Sequence, residues 1–421
     1  MANLRELAAL TSDANGAQRL AFTPTWQKAR DWFTAKLRGL PVTRHLDAAG
    51  NAWVTLPGAS PRSLVLGSHL DSVPNGGWLD GALGVLAALE ILTSLALAHN
   101  NHPPFTVRIV DWADEEGARF GRSLFGSSAF AGTHTIATDR NRTDAEGITL
   151  AQALATHGID IARIGDAASE QQNIAAYLEL HIEQGPILER LSQPLAAVLG
   201  TKGVERHAIT FHGQQAHSGS TPMLDRRDAL AAAARFVLEV RDITNRINAQ
   251  HHTDAVATVG SLKTHPGIPT AIAGRAECTL DLRDLSPEVL ATLYQEAQAA
   301  SHRIAEQERC SADWSRILSI DPLPFHPHLI ALTRDSIAET LPQPPAESTQ
   351  WANEIPAVPS GPLHDAAEVA RTGIPTTMMF VQSLHGISHN KIEDTAEPHL
   401  RLAVEAFDRL ATKTLNWLGE Q

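Results

Sequence analysis

Two short strand-like runs, SLVLGSHL (63–70) and FTVRIVDWAD (105–114), enclose one long apolar stretch, GALGVLAALEILTSLALA (81–98). Aliphatic and β-branched residues crowd each short run, as in a buried strand. The long stretch reads as an apolar helix beginning near Gly81. Strand, helix and strand in this order predict βαβ units, and with them a mixed or parallel sheet covered by helices on both faces.

The rest of the chain extends this pattern and interrupts it once. TWQKARDWFTAKLRGL (25–40) places Trp26, Ala29, Phe33 and Leu37 at helical spacing, and AWVTLP (52–57) reads as a strand. From about Val204 the texture becomes α+β. VERHAITFHG alternates like a half-exposed strand, then come a helix (RRDALAAAARFVLEVRDI), two strands (DAVATVGSL and AECTLDLRDL) and a helix (PEVLATLYQEAQAASHRIAEQ). Pro-rich DPLPFHPH (321–328) reads as the exit linker, and PQPPAES (342–348) as an exposed loop. After these, strand PTTMMFVQS and helix LRLAVEAFDRLATKTLNWL resume the α/β texture. The expected organisation is an α/β domain in two parts, residues 1–203 and 323–421, with a smaller α+β insert at 204–322.

Composition narrows the function classes. The 421 residues hold 34 Lys and Arg against 47 Asp and Glu, a net charge of −13. Phosphate binding is built on excess Lys and Arg, so no nucleic-acid partner is expected, and no polybasic membrane patch is present. Two cysteines are too few for a disulfide framework or a Cys-based zinc site. No apolar run is long enough to cross a membrane, and the N-terminus lacks a secretory apolar core, so a cytoplasmic location is expected.

The 20 histidines are the pointed feature, and several fall with carboxylates at predicted strand ends, where open α/β sheets place their sites. In GSHLDSV, His69 has Asp71 two residues on, which suits a ligand imidazole with a carboxylate to orient it. Asp80 in NGGWLDGALG stands at the mouth of the apolar helix, as an N-cap or as a carboxylate bridging two cations. Asp114, Glu115 and Glu116 crowd together after a buried strand. They read as a solvated turn, or as a group whose repulsion a cation relieves. In LELHIEQGP, residues Glu179, His181 and Glu183 share one strand face. SLHGISHNKIED offers His385 and His389. Together these segments supply the N/O ligand set of a hydrolytic dinuclear site.

The order of motifs resembles a known family. GSHLDSVPNGGWLDGALG, DEEGARFGRSLFGS, LELHIEQGP, FHGQQAHSGSTPMLDRRDA, LDLR, SGPLHDA and GISHNKIED are similar to the hydantoinase/carbamoylase branch of the dinuclear metallopeptidase clan that includes aminoacylases. The branch contains N-carbamoyl-L-amino-acid hydrolases, β-ureidopropionases, allantoate amidohydrolases and ureidoglycolate amidohydrolases. The resemblance runs from about residue 20 to the end. It implies two divalent ions per subunit (zinc, manganese, cobalt or nickel) held by His69, Asp80, Glu116, His181 and His389, with Asp80 bridging. It implies Glu115 as the general base on a metal-bridging water, and His217 as a lid histidine that reaches a neighbouring subunit's site and steadies an oxyanion. Gln184, Thr270, Arg283 and His364 fall where the family holds its substrate, Arg283 on the carboxylate. The insert then becomes a lid and dimerisation domain of a homodimer, and the partner a small molecule bearing a carboxylate.

Two departures touch substrate recognition. TAIAG (270–274) puts Thr270 where relatives carry Asn, and SGPLHDA places Pro362 and Leu363 where they carry Ala-Gly. The expected reaction is hydrolysis of a linear C–N bond in an N-carbamoyl amino acid or similar ureido acid. The same machinery could instead serve an N-acyl or N-formyl amino acid deacylase or a dipeptidase. Other readings are weaker: no G-x-S-x-G nucleophile motif occurs, the one H-x-H triplet (326–328) sits late in a Pro-rich stretch, and a dead scaffold would have lost a ligand or Glu115.

Overall fold

A computed structural model describes residues 1–341 and 355–421. The expected loop PQPPAES lies outside the described residues. The chain divides into two compact units, one of Met1–Gly200 with Phe325–Gln421, the other Thr201–Pro324.

In the first unit the sheet runs in the order Leu195–Thr201, Thr376–Val381, Ile174–Ile182, Ser60–His69, Phe105–Trp112, Ala52–Leu56, Thr43–Leu46. The four middle strands are parallel and the outer pairings antiparallel. This is the mixed sheet that the strand and helix runs imply. Alternate residues of the middle strands enter opposite cores, as a period of two requires. Leu64, Leu66, Leu178 and Leu180 pack against helices Ala82–Ala98 and Glu397–Gly419. Val65, Tyr177 and Phe380 pack against Phe130, Ala366 and Val369 on the other side. Ala82–Ala98 is as apolar as it is because this helix is covered on nearly every side.

The second unit is an antiparallel sheet in the order Val256–His265, Arg275–Asp284, Gly203–His212, Ser311–Ile320. Helices Ala229–His251 and Pro287–Gln307 cover one face through Phe236, Val240, Leu293 and Ile304. The fourth strand corrects the sequence reading, which ended this block at the second helix. Ser311–Ile320 is mostly exposed and half polar, so it lacks the apolar signal that marks its neighbours. The supposed exit linker also differs: Pro327 opens a helix, Pro327–Thr340. Proline at the first helical position loses no hydrogen bond, so a Pro-rich run can be a helix start.

Candidate metal centre

The middle strands deliver their side chains to one end of the parallel sheet, the crevice where α/β folds bind ligands. His69 is the last residue of Ser60–His69, and His181 the penultimate residue of Ile174–Ile182. Asp114, Glu115 and Glu116 follow Phe105–Trp112 directly, and the segment after Thr376–Val381 carries Ser388 and His389. Asp80 enters from the turn before Ala82–Ala98 and does not cap that helix; the capping position is Gly81, at φ 64°. Asp114, Gln184 and His389 all take positive φ without being glycine, backbone strain of the kind that clusters at functional sites.

Asp80 is the centre of this arrangement. Its Oδ1 faces His181 Nε2 at 3.2 Å and His69 Nε2 at 3.7 Å. Its Oδ2 faces His389 Nε2 at 3.4 Å, and His389 Nε2 lies 3.2 Å from Glu116 Oε2. Two donor sets therefore share one carboxylate, His69–Asp80–His181 and Asp80–Glu116–His389, each with its ligand atoms within 4.8 Å of one another. Gln184 Nε2 donates to Asp80 Oδ2 at 2.9 Å, and Ser388 Oγ donates to the same oxygen at 3.1 Å. Glu393 accepts from the backbone N–H groups of Leu79 and Asp80, fixing the turn.

Each buried imidazole is oriented from behind. His181 Nδ1 lies 2.9 Å from the carbonyl of Ile182, and His69 Nδ1 lies 3.2 Å from the carbonyl of Asp71. A carbonyl only accepts, so both Nδ1 atoms carry hydrogen, and in the neutral ring Nε2 presents a lone pair to carboxylate oxygens. Lone pair against carboxylate is repulsive unless a proton or a metal cation lies between, and two imidazoles converging on one carboxylate oxygen form a donor set that fits a divalent ion. His181 Nε2 is buried without a hydrogen-bond partner among the described residues, as are Gln184 Oε1 and His364 Nε2.

The electrostatics carry the same signature. Burial pushes the His69 imidazole down, but Glu115, Asp71 and Asp80 more than reverse it and raise its proton affinity well above normal. Hydrogen bonds that its ring donates to Asp80 and Glu116 raise His389 to about 10. Burial works against ionised Asp80, yet His181, His389 and His69 hold it well below the usual carboxylate range. These carboxylates demand positive charge. Glu115 behaves oppositely: burial, aided by Asp365, Glu116 and Asp71 and opposed by His69, pushes it well above that range. Its Oε2 lies 3.7 Å from His69 Nε2. Asp71 lies just beyond the strand that ends at His69, and its two oxygens accept from the backbone N–H groups of Glu115 and Glu116. The three adjacent acids are thus a buried, held turn and no solvated one.

A second buried carboxylate ties the floor together. The face of Glu179, His181 and Glu183, readable as wet, is buried. Glu179 accepts from Ser68 Oγ, from Tyr177 OH and from Ala366 N. Each donor is a close chain neighbour of a site residue or lies beside one on the same strand. His364 sits over His181 with ring centroids 4.4 Å apart, and burial, then His181, pushes it well below the usual histidine range. Glu183 accepts from Ile187 N and Leu188 N and anchors the next turn. His385 stands away, exposed beside Glu189.

The first unit therefore brings together His69, Asp80, Glu115, Glu116, His181, Gln184, His364 and His389. His217, Thr270 and Arg283 belong to the second unit. There His217 is exposed in a two-residue strand paired with Ala271–Ile272, its Nδ1 accepting from Gly219 N, and Ser218 N donates to Thr270 O at 3.0 Å. Arg283 Nε donates to Asp281, which also holds Arg206. The parts played by Glu179, Ser388 and Glu393 were not read from the sequence, although all three lie inside quoted motifs, LELHIEQGP and GISHNKIED; buried Arg19, whose Nε donates to the carbonyl of Leu70, carries no sequence signal.

The model of peptidase family M20/M25/M40 matches residues 65–413. The chain belongs to that family. Among relatives of this M20/M25/M40 member, the N-carbamoyl-L-amino acid amidohydrolase of Geobacillus stearothermophilus is 35% identical over 385 residues, 90% of this chain and 89% of that one. The allantoate amidohydrolase of Escherichia coli K12 is 31% identical over 384 residues, 91% of this chain and 89% of that one. A hydantoinase/carbamoylase family amidase from Burkholderia multivorans superposes with TM-score 0.84 at 32% identity, covering 98% of this chain and 96% of the other.

Proposed function

We propose that this chain is a metal-dependent amidohydrolase that cleaves the linear C–N bond of an N-carbamoyl amino acid or a similar ureido acid. The single observation that carries the reading is Asp80, whose Oδ1 faces the buried imidazoles of His69 and His181 and whose Oδ2 faces the half-exposed His389, itself beside Glu116. His69, Asp80, Glu116, His181 and His389 would hold two divalent ions, which when bound supply a Lewis acid for the scissile carbonyl and make water a nucleophile near neutral pH.

The chain's own residues do the remaining work. Glu115 Oε2, with its raised proton affinity, takes a proton from the attacking water and returns it to the leaving nitrogen. Asp71 keeps Glu115 and Glu116 in place through their backbone N–H groups. Water oxygen forms a bond to the ureido carbon, the bond to the amino-acid nitrogen breaks, and the released carbamate decomposes to ammonia and carbon dioxide. Gln184 and His364 line the site with buried atoms that lack partners, ready for the polar groups of a substrate. His217, Thr270 and Arg283 are assigned to the oxyanion and the substrate carboxylate, supplied by the insert of a second subunit in a homodimer.

An N-acyl or N-formyl amino acid deacylase, or a dipeptidase, is the alternative on the same machinery, favoured by Thr270 and Leu363 where relatives differ. Product analysis separates the two. Protein stripped of metal and reloaded with manganese, cobalt, nickel or zinc is assayed for ammonia and free amine. The substrates are N-carbamoyl, N-formyl and N-acetyl amino acids, allantoate and ureidoglycolate. Ammonia release supports the proposal; amine without ammonia overturns it in favour of the deacylase.

A further inference from the structure

Arg30 and Asp111 form a buried ion pair that the reaction does not use. Asp111 continues the strand face of Val107 and Ile109, which lie in the apolar core with Ala29 and Phe33 of helix Pro24–Lys36. Arg30 Nε donates to Asp111 Oδ2 at 2.6 Å, and both side chains are buried. Arg30 Nη2 donates to the carbonyl of Asp111 at 3.0 Å and Nη1 to that of Gly50 at 2.7 Å. Apolar side chains of similar volume often serve stability as well as such a pair, so charges placed in an apolar core ask for another task.

The other carboxylate oxygen shows that task. Strands Ser60–His69 and Phe105–Trp112 pair in parallel as far as His69 and Trp112. Where this ladder ends, Leu70 N donates to Asp111 Oδ1 at 2.8 Å. The carbonyl of Leu70 accepts from Arg19 Nε at 2.7 Å, so buried side chains hold both polar groups of this one residue. Its chain neighbours are His69, whose Nδ1 lies 3.2 Å from the carbonyl of Asp71, and Asp71 itself. The Asp71 carboxylate in turn holds the backbone N–H groups of Glu115 and Glu116. The orientation of the His69 ring and the place of Glu116 thus both depend on where Leu70 is fixed.

We propose that Asp111, anchored by Arg30, is a positioning residue that aims His69 and Glu116 at the divalent ions by fixing the Leu70 N–H. The inference rests on the metal-centre reading above. Donors already aimed lose little freedom when an ion binds, so loss of aim is read as loss of affinity.

The test compares Asp111→Asn with Asp111→Leu. Both variants lose the ion pair, but only asparagine keeps an oxygen for the Leu70 N–H. Manganese is titrated by calorimetry into each metal-stripped protein at a temperature well below its melting point. Asp111→Leu is expected to bind manganese more weakly than Asp111→Asn by about tenfold or more. A smaller gap overturns the proposal, because a merely structural pair lowers the melting temperature of both variants without separating their affinities. If unpaired Arg30 prevents folding, the same comparison is made in an Arg30→Met background, which leaves no lone buried cation. The same gap is expected there, and failure of either double variant to fold overturns the proposal in favour of a bond needed only by the fold. Wild type that takes no manganese would overturn the metal-centre reading itself, and this proposal with it.

Discussion

Glu115 and Asp80 show how neighbouring acids are given different tasks by their surroundings. Histidines hold Asp80 ionised, whereas burial and like charges keep the proton affinity of Glu115 high. Glu115→Gln removes the proton acceptor and leaves every donor of both sets in place. Turnover is expected to fall by about 10² to 10⁴-fold with metal content unchanged, checked by steady-state kinetics beside elemental analysis. Unimpaired turnover would mean that another group takes the proton. Asp80→Asn removes charge shared by both sets, and elemental analysis should show loss of more than one ion's worth of binding. Chelation should lower the melting temperature of wild type, since a ligand bound only by the folded state stabilises it by about 2.7 kcal/mol at a hundredfold excess over Kd.

At the scale of elements, the close seating of Ala82–Ala98 on the sheet sets the position of Asp80. A Cβ added at Gly84 would lie 2.5 Å from the carbonyl oxygen of Leu180 and 2.6 Å from Ser68 Cβ. Gly84→Ala must push the helix off the strands that carry His69 and His181. A loss of about 1–3 kcal/mol is expected from this overpacking, read from urea unfolding. The loop after Glu116 is tied by Asp139 to Arg122 and Arg142. Burial raises Asp139, but Arg142 and Arg122 outweigh it and hold the carboxyl below its usual 3.8. A lowered folded-state value means this stabilisation is complete above pH 3.8 and fades as the pH falls through the folded value. Asp139→Asn should lower stability at pH 7 and flatten its acid dependence. A parallel drop at every pH would contradict the ion-pair account.

At the scale of the whole molecule, the assignment of His217 to a neighbour's site makes a prediction about mixtures. Sedimentation should find a homodimer. Glu115→Gln and His217→Ala subunits, each weak alone, should regain part of the activity when unfolded together and refolded, because some mixed dimers then hold one intact site. No recovery at all would place His217 in the service of its own subunit or of none.

The mixed sheet was legible in the sequence because the runs at 63–70, 81–98 and 105–114 have the lengths and residue types that buried elements require. The helix beginning at Pro24 likewise showed itself through Trp26, Ala29 and Phe33, all buried. Ser311–Ile320 and Pro327–Thr340 did not, since an exposed edge strand carries little apolar signal and proline reads first as a breaker. His69, Asp80, Glu116, His181 and His389 could be listed from short motifs, but chain spacing says nothing about which oxygen of Asp80 faces which imidazole. That arrangement arises only when separate strand ends meet at one edge of the sheet. The burial of Glu179 and the enclosure of Arg19 were also decided there, because a charge's cost and its partners depend on neighbours far away in sequence. Local patterning determined the elements; their assembly in space, which removes water and brings distant charges together, decided the chemistry.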